Sequence, residues 1–271
     1  MSGPSRAAAM PTTESPWERG DLSATLYREM ILLTHNRTNL LLAVTPTIIY
    51  IVLFATSLAR LVPHVRYHDA TIAYPDFAVP GLMFSSLLAA SASAATALFQ
   101  ERMGNMTVEL WSTPLSRPRY VAAKLLAGAG LVTVQAVGAL AAAALVFQTS
   151  WAVDRWLTLL AGAVAASFAF NGLYLLLAIY IREFQRFMVL VNIVTPVLLF
   201  GSPAFYPAAQ MAPPLRFLAH FNPVTYGVAS LRDGLVFGFG TALPSILLMA
   251  GVAVVTGLIV GRALRRGAQD V

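Results

Sequence analysis

Cysteine is absent from the 271-residue sequence, and charged residues make up only 11% of it. The absence of cysteine excludes disulfide bonds and thiolate metal sites. A soluble domain would carry about 25% charged residues, so this chain has too few charges to cover a surface exposed to water. Because 58% of the residues are hydrophobic, the composition indicates a protein whose main solvent is lipid.

The charges are also segregated, which leaves six long stretches free of Asp, Glu, Lys and Arg. These stretches are Leu40–Ala59, Phe77–Gln100, Leu125–Val153, Trp156–Ile181, Phe187–Leu215 and Gly234–Gly261. Each reaches or exceeds the roughly 20 residues that a helix needs to cross the hydrocarbon core. The sequence therefore predicts an all-α polytopic membrane protein with six transmembrane helices. The predicted spans are residues 40–59, 77–98, 121–148, 156–180, 187–206 and 240–261.

The segment before the first span has no apolar core like that of a signal peptide. We expect residues 1–21 to form a disordered tail. Residues 22–38 place apolar side chains at spacings of four and three, which predicts an amphipathic helix. That helix either lies along the membrane surface or forms the solvated start of the first span. Residues 22–262 are the expected transmembrane domain, and residues 263–271 are a cytoplasmic tail.

The distribution of basic residues predicts the orientation of the chain. Thirteen of the 18 Lys and Arg residues lie before the first span, in segments 99–124 and 182–186, or after the last span. The alternate connections carry the other five. Since positive residues concentrate on the cytoplasmic side, we expect a multi-pass protein of the plasma (inner) membrane with both termini in the cytoplasm. The segment that precedes the last span then lies on the outer side.

Several chemistries have no counterpart in the sequence. It contains no G-x-x-x-x-G-K-[ST] loop, no H-E-x-x-H and no G-x-S-x-G, so we expect no nucleotide-binding motif, no catalytic centre and no cofactor in this chain. The predicted spans also contain no Asp or Glu. Proton-coupled carriers usually need an ionisable group within the membrane, so this absence argues against a carrier driven by an ion gradient.

A few isolated polar residues are candidate ligands. His64 and His68, with Asp69 beside them, have the i, i+4 spacing of two metal-binding imidazoles on a helix. Further ligands are missing, so the sequence favours a plain polar loop here. Asn171 and Asn192 lie within predicted spans, where an amide facing lipid is costly. Interhelical hydrogen bonds are a better explanation for them than substrate contacts.

The longest cytoplasmic connection runs from residue 99 to residue 126. Its middle, Met103–Trp111, is compatible with a short helix, and Pro114 and Pro118 would end that helix before the next span begins. A short helix held between two membrane helices would act as a lever. A force applied to it would move both spans.

The stretch from Gly201 to Gly234 holds five prolines but is almost as apolar as its neighbours. The prolines predict several short helices instead of one span. Non-helical backbone at membrane depth is tolerated only where protein or a water-filled cavity shelters it, and Asn222 and Thr225 offer side chains that can satisfy the freed backbone groups. The alternative is a hydrophobic external loop that lies on the bilayer.

Two segments carry a resemblance to a known family. The first is Glu101-Arg102, followed after a short helix by "STPLSR". The second is "IREFQRFMVLVNIVTPVLLFGSPAFYPAAQMAPPLRFLAHFNPVTYGVASLRDGL", with a charged turn, a span, a Phe-Tyr-Pro exit, a proline pair and Asn-Pro-x-Thr-Tyr. From about residue 22 onward, the chain resembles the ABC-2 type permeases, the membrane subunits of ABC exporters.

The resemblance implies roles for particular residues. In the first cytoplasmic loop, which couples such permeases to their ATPase, it implies contacts by Glu101, Arg102, Glu109, Trp111 and Arg117. On the outer side, it implies short broken helices that cap the translocation path. The corresponding cap residues are Phe205, Tyr206, Pro207, Asn222, Pro223 and Tyr226.

The resemblance also implies a function and partners. The chain would be a permease that moves a drug, lipid or glycan outward. Two copies of a separate ATPase subunit would bind ATP and Mg²⁺, and a second permease copy would form a homodimer or a similar heterodimer. Membrane lipid is the remaining partner, and no nucleic acid is expected. The alternatives are a secondary transporter driven by an ion gradient and a non-transporting membrane scaffold or immunity protein.

Overall fold

The computed structural model describes residues 23–28, 30, 31, 45, 49, 52, 62–104, 117–147 and 151–266. Several predicted features lie outside this set: the tail 1–21, most of the first span at 40–59, nearly all of the first-loop helix, and residues 267–271. Residues 23–28, 30 and 31 are helical, which agrees with the helix predicted before the first span.

The described part of the chain is mostly helical. Its helices from residue 62 onward are α1 (Tyr74–Met103), α2 (Arg117–Phe147), α3 (Val153–Tyr180), α4 (Phe184–Phe200), α5 (Pro213–Phe221), α6 (Pro223–Val236) and α7 (Phe239–Arg266). A short 3₁₀ turn at Ala208–Gln210 precedes α5. Helix α7 continues beyond the predicted span at 240–261 and includes the start of the predicted tail.

Four segments of these helices are long and apolar enough to cross a membrane. They are Tyr74–Met103, Ala122–Val146, Val153–Tyr180 and Phe239–Ala263. They overlap four of the six predicted spans almost completely. The apolar helix α4 has only 17 residues, which corresponds to about 26 Å at 1.5 Å per residue. It therefore falls short of the roughly 30 Å hydrocarbon core.

The end of α4 corrects the predicted span at 187–206. The helix stops at Phe200, where the N–H of Gly201 bonds to the carbonyl of Val197 at 2.9 Å. Pro203 has no N–H to donate and cannot extend the helical ladder. The chain then turns through residues 201–206. Composition alone does not predict this break, because the turn is almost as apolar as the helix.

The expectation of an all-α fold is also corrected, since the segment before α1 forms a β-hairpin. Strands β1 (His64–Tyr67) and β2 (Ala70–Ala73) pair antiparallel around a two-residue turn. Val65 of β1 packs with Tyr74, Phe77 and Ala78 of α1 in a small buried cluster. The hairpin is therefore fixed to the first turns of α1 and is not the plain polar loop that the sequence suggested.

Helix α3 lies at the centre of the bundle and packs against α7, α1, α2 and α6. Small side chains allow the helices to approach closely. A Cβ at Gly172 of α3 would clash with the Thr256 side chain of α7, and a Cβ at Gly81 of α1 would clash with the backbone of Ala204. The second contact places the turn that follows α4 directly against α1.

The two intramembrane asparagines differ. Asn171 is fully buried, and its Nδ2 donates to the carbonyl of Leu125 in α2 at 3.3 Å. The predicted interhelical hydrogen bond is therefore confirmed at this position. Asn192 is exposed on α4 and forms no hydrogen bond with the part of the chain that the structure describes. The bond predicted for Asn192 is thus not made to any of the helices α1–α7.

Candidate functional site

Helices α1 and α2 are joined through residues 104–116, so the end of α1 lies beside the start of α2. This end of the bundle is called the Glu101 end below. The hairpin end holds the β-hairpin, α5 and α6. Each end carries a group of buried or half-buried polar side chains, and the two groups are built differently.

At the Glu101 end, a carboxylate joins α1 to α2. Lys124 Nζ lies 2.7 Å from Glu101 Oε1, and the Tyr120 hydroxyl donates to Glu101 Oε2 at 3.0 Å. The exposed fractions of the Lys124 and Glu101 side chains are only 6% and 10%. Because both carboxylate oxygens have donors, the charge of Glu101 is satisfied within the chain.

The neighbouring arginine joins α1 to the end of α3. Arg102 Nη1 donates to the carbonyl of Ala178 and, at 3.0 Å, to that of Ile179. The last carbonyls of a helix have no partner within the helix and carry partial negative charge, so a guanidinium is well suited to cap them. Nearby, the Phe99 ring of α1 stacks on Phe187 of α4 with centroids 5.1 Å apart.

These contacts locate the residues that the sequence assigned to ATPase coupling. Glu101 and Arg102 bond to α2 and α3 of their own chain, immediately before the connecting segment. Arg117 is the first residue of α2, but its side chain is outside the described set. Glu109 and Trp111 also lie outside it. The structure thus shows two of the five residues, and both are braces between helices.

At the hairpin end, residues 201–238 are broken into a turn, a 3₁₀ turn and two helices. Helix α6 is embedded in the bundle, with Val224, Val228 and Leu231 fully buried. A Cβ at Gly227 would clash with the ring of Phe84 in α1, so α6 approaches α1 closely. The alternative of a loop that merely lies on the bilayer is therefore excluded for α6.

Asn222 closes the junction between α5 and α6. Its Oδ1 accepts from the N–H of Val224 at 2.9 Å and caps α6. Its Nδ2 donates to the carbonyl of Leu198 in α4 at 2.6 Å, and the Thr225 hydroxyl donates to the carbonyl of Ala219 at 2.8 Å. Asn222 and Thr225 thus satisfy backbone groups at the break, as their side-chain chemistry suggested.

The other expected cap residues surround this junction. Pro223 is the first residue of α6, where the missing N–H costs nothing, and Pro207 directly precedes the 3₁₀ turn. The hydroxyls of Tyr226 and Tyr206 donate to the carbonyls of His220 and Phe200, respectively. The Phe205 ring contacts the Phe200 ring at a centroid distance of 5.7 Å. All six residues therefore lie where α4 ends and α5 meets α6.

Arg232, for which the sequence suggested no role, ties this region to the rest of the bundle. It is 1% exposed. Its guanidinium donates to the carbonyls of Phe77 at 2.9 Å, Pro203 at 2.8 Å and Ala204 at 2.6 Å. It also lies 3.7 Å from the centroid of the Phe77 ring. One cation therefore connects α6 to the start of α1 and to the turn after α4.

Asp233 links α6 to the hairpin. The Tyr67 hydroxyl donates to Asp233 Oδ1 at 2.7 Å, and His68 Nε2 lies 3.6 Å from the same oxygen. Burial raises the pKa of the Asp233 carboxyl despite these donors and the nearby Arg232. Burial also lowers the pKa of Arg232 to about 10. Both shifts have the direction expected of charges that are withdrawn from water.

The sequence did contain a signal for this cluster. Arg232 and Asp233 are adjacent charges between the stretches 217–231 and 234–261, which contain no Asp, Glu, Lys or Arg. Charges in such a position usually need internal partners. Those partners are remote in sequence, since Tyr67 lies in the hairpin, and only the fold identifies them.

The spacing of His64 and His68 does not form a metal site. Both belong to the hairpin, His64 in β1 and His68 in the turn, so they do not share a helical face. Among the described residues, no group of three or more His, Asp or Glu side chains is arranged to hold a metal ion. The role of His68 here is its contact with Asp233.

Comparison with known proteins supplies the family. No curated protein matches the chain. The family model described as ABC-2 type transporter matches residues 21–236, which is most of the chain and includes both polar groups. The apolar helices long enough to cross a membrane agree with this match. The chain therefore belongs to the ABC-2 type transporter family and is a multi-pass membrane permease, a non-catalytic transmembrane component of a family whose members generally pair with an ABC ATPase subunit.

Proposed function

We propose that this permease is the transmembrane subunit of an ATP-driven exporter that moves a hydrophobic or amphipathic substrate, such as a drug, lipid or glycan, outward. Two copies of a separate ATPase subunit bind ATP and Mg²⁺, and the permease itself holds no cofactor. It lies in the plasma (inner) membrane with both termini in the cytoplasm. The excess of basic residues in the termini and in segments 99–124 and 182–186 supports this orientation, because basic residues concentrate on the cytoplasmic side.

The observation that carries the proposal is the bracing of the Glu101 end. Glu101 ties the end of α1 to α2, and Arg102 ties it to the end of α3. Both braces directly precede the segment that connects α1 to α2. A displacement of that segment by an ATPase would therefore reach three membrane helices together, because bonded side chains join them at this end.

We infer two kinds of coupling residue from this arrangement. Glu109, Trp111 and Arg117 lie in or next to the connecting segment and are proposed to contact the ATPase. Glu101 and Arg102 transmit the movement through their bonds to α2 and α3. An arginine or a tryptophan at a protein interface often dominates the binding energy, so Trp111 is the proposed anchor.

The hairpin end is proposed to cap the outer side of the path. The turn after α4, the α5–α6 junction and the start of α1 are held together by Asn222 and Arg232. The cap residues Phe205, Tyr206, Pro207, Pro223 and Tyr226 border the same junction. Release of substrate would require this assembly to move relative to the helices around it.

The exposed face of α4 supports pairing with a second permease copy. Val189, Ile193 and Val197 are each more than half exposed, and Asn192 lies among them on the same helix. An amide that faces hydrocarbon without a partner costs several kcal/mol in the extreme and about 1 kcal/mol in measured membrane proteins. A second copy, identical or similar, would cover the face and supply a partner for Asn192.

Co-purification with an ATPase subunit tests the coupling assignment. Trp111→Ala should weaken binding of the ATPase subunit by more than about tenfold, since truncation of an interface anchor commonly costs about 2 kcal/mol. Membrane insertion should be unchanged. Trp151→Ala is the matched control, because Trp151 precedes α3 at the hairpin end, and it should retain full binding. Full binding by both variants would disprove the role of Trp111.

The energy source of transport distinguishes the proposed exporter from the alternative functions. Vesicles that contain the permease and its ATPase should extrude a fluorescent amphiphile only with ATP, and a protonophore should leave that transport intact. Transport without nucleotide that collapses with the protonophore would identify a secondary transporter. Failure of any ATPase subunit to co-purify, with no transport of either kind, would favour a scaffold or immunity protein.

Thiol labelling tests the orientation. Since the chain has no cysteine, a single introduced thiol reports one position. Ser112→Cys should react with a membrane-impermeant maleimide only from the cytoplasmic side, and Ala208→Cys only from outside. The opposite pattern at both positions would invert the topology and place the hairpin end in the cytoplasm.

A further inference from the structure

The hairpin meets α6 through a small polar contact at the edge of the bundle. Tyr67 and His68 both approach one carboxylate oxygen of Asp233, at 2.7 Å and 3.6 Å. The Asp233 side chain is 8% exposed, whereas that of His68 is 59% exposed. The contact therefore joins a buried carboxyl group to an imidazole that water reaches directly.

The backbone holds His68 in place for this contact. His68 is the first residue of the two-residue turn and has φ of 50°, in the left-handed region that residues other than glycine seldom adopt. Two-residue hairpin turns need a positive φ at this position, so the turn accounts for the conformation and fixes where the His68 side chain leaves the backbone. The His68 ring also packs edge-on against Phe237, with centroids 5.8 Å apart.

We propose that the hairpin is a latch on α6, and that the contact between His68 and Asp233 lets protons in the surrounding solution tighten it. Histidine changes its charge between about pH 5 and pH 8. When His68 gains a proton while Asp233 is ionised, their contact becomes an ion pair, and the hairpin is held more firmly. When it loses the proton, the hydrogen bond from Tyr67 to Asp233 remains.

Two other groups act on Asp233 besides His68: burial raises the pKa of its carboxyl, and both the hydrogen bond from Tyr67 and the nearby charge of Arg232 oppose that shift. Arg232 is occupied by three backbone carbonyls. Arg155 of α3 donates to a backbone carbonyl of α6 and pairs with Asp154. Helix α7 contributes no charged side chain near its start. The remaining titratable groups on the elements packed here form no hydrogen bond or ion pair with Asp233. They are His64, Arg66, Asp69, Tyr74 and Asp76.

The latch covers a defined part of α1. Val65 of the hairpin packs on Tyr74, Phe77 and Ala78, and Ala78 is only 2% exposed. A thiol introduced by Ala78→Cys would therefore react with a maleimide only when the hairpin moves away. Thr71 is exposed on the hairpin itself, so Thr71→Cys reports the intrinsic reactivity of a thiol at each pH.

The test uses the purified full chain in detergent and a maleimide probe, so it depends on neither an ATPase nor a substrate. Protection is the labelling rate at position 71 divided by that at position 78. We expect protection to rise about two- to fivefold when the pH falls from about 8 to about 5.5, the effect of a partly exposed ion pair. Unchanged protection in the otherwise unaltered chain would overturn the proposal.

Variants of exposed residues test whether His68 itself causes the pH dependence of protection. His68→Gln should remove the pH dependence and leave protection at its high-pH level, whereas His68→Arg should give high protection at both pH values. His64→Gln, a histidine change in the same hairpin, should retain the original dependence. If His68→Gln retains it as well, the proposal is wrong.

A second readout covers the case in which the thiol at position 78 never reacts. Hydrogen–deuterium exchange of the β1 and β2 amides, corrected for the intrinsic effect of pH, should slow by a similar factor on acidification, and only when His68 is present. Equal slowing in His68→Gln would overturn the latch. Because neither readout involves ATP, failure of the latch leaves the proposed export function untouched, and failure of that function leaves the latch untouched.

Discussion

Lys124 Nζ lies 2.7 Å from Glu101 Oε1, and this ion pair connects the last turn of α1 to α2. Both side chains are about nine-tenths withdrawn from solvent. A charge in this position has little access to water if its partner is removed. The pair therefore holds α1 and α2 together at the point where the chain enters the connecting segment, and its loss would destabilise both helices.

Removal of one partner should destabilise the protein strongly. Lys124→Met leaves the Glu101 carboxylate buried and facing only the Tyr120 hydroxyl, and breaking a buried pair commonly costs about 3–5 kcal/mol. The double variant Glu101→Gln with Lys124→Met should recover much of that loss, because no charge remains buried. Denaturant unfolding in detergent micelles measures both values. A double variant no more stable than Lys124→Met would show that the charges are not the cause.

A substitution that keeps the positive charge of Arg232 should still lower the stability of the protein. Arg232→Lys keeps the charge, but one ammonium group cannot donate to the three carbonyls of Phe77, Pro203 and Ala204 from the positions that the guanidinium occupies. Buried carbonyls left without donors cost about 1–3 kcal/mol. We expect a loss of about 3 kcal/mol, measured as thermal unfolding in detergent.

Arg216 provides the matched control for that measurement. It also donates to backbone carbonyls, those of Ala208 at 3.0 Å and Ala209 at 2.5 Å, but at an exposed position. Water can replace the lost donors there, so Arg216→Lys should cost less than about 1 kcal/mol. Equal losses in the two variants would mean that burial of Arg232 does not matter.

The amount of the fold that could be predicted from sequence depends on the type of contact. The spans at 77–98, 121–148, 156–180 and 240–261 follow from the absence of charge, a property that is local and extends over many residues. The end of α4 was missed, since a turn at Gly201 changes the backbone without changing the hydrophobicity. The hairpin was missed because its four-residue strands are too short to show a clear alternation.

The candidate sites show the same limit at the level of single residues. Asn222 could be assigned from sequence, because an asparagine before a proline-initiated helix is a local capping signal. Glu101 and Arg102 were identified, but as contacts to a partner; their bonds to Lys124 and to the end of α3 require the packing of three helices. Asp233 and Tyr67 are 166 positions apart, and no local pattern relates them.

The raised pKa of Asp233 gives a stability effect with a defined sign. Burial raises the pKa of this carboxyl above its value in the unfolded chain, so the folded state holds the proton more tightly. The contribution to stability is complete below the unfolded pKa of about 3.9 and is lost as the pH rises through the folded value. Asp233→Asn cannot lose a proton, so it should gain stability relative to the original chain as the pH rises above about 4. A difference in unfolding free energy that stays constant, or changes in the opposite direction, would contradict this.

Two glycines of α2 separate close packing from helix propensity. A Cβ at Gly128 would lie 2.6 Å from Asn171 Nδ2 and 2.9 Å from its Oδ1, whereas a Cβ at Gly130 meets nothing within 4 Å. Gly128→Ala must therefore displace a buried side chain that bonds to Leu125, and overpacking of this kind typically costs about 1–3 kcal/mol.

Gly130→Ala is the matched substitution, in the same helix and with the same change in backbone freedom. Because it adds a methyl group to open space, it should be neutral or stabilise by up to about 1 kcal/mol through the lower entropy of the unfolded chain. Unfolding of both variants in the same detergent gives the comparison. If Gly128→Ala proved as stable as Gly130→Ala, α2 and α3 would have to be further apart at Asn171 than the structure places them, and the interhelical hydrogen bond of Asn171 would be lost with that contact.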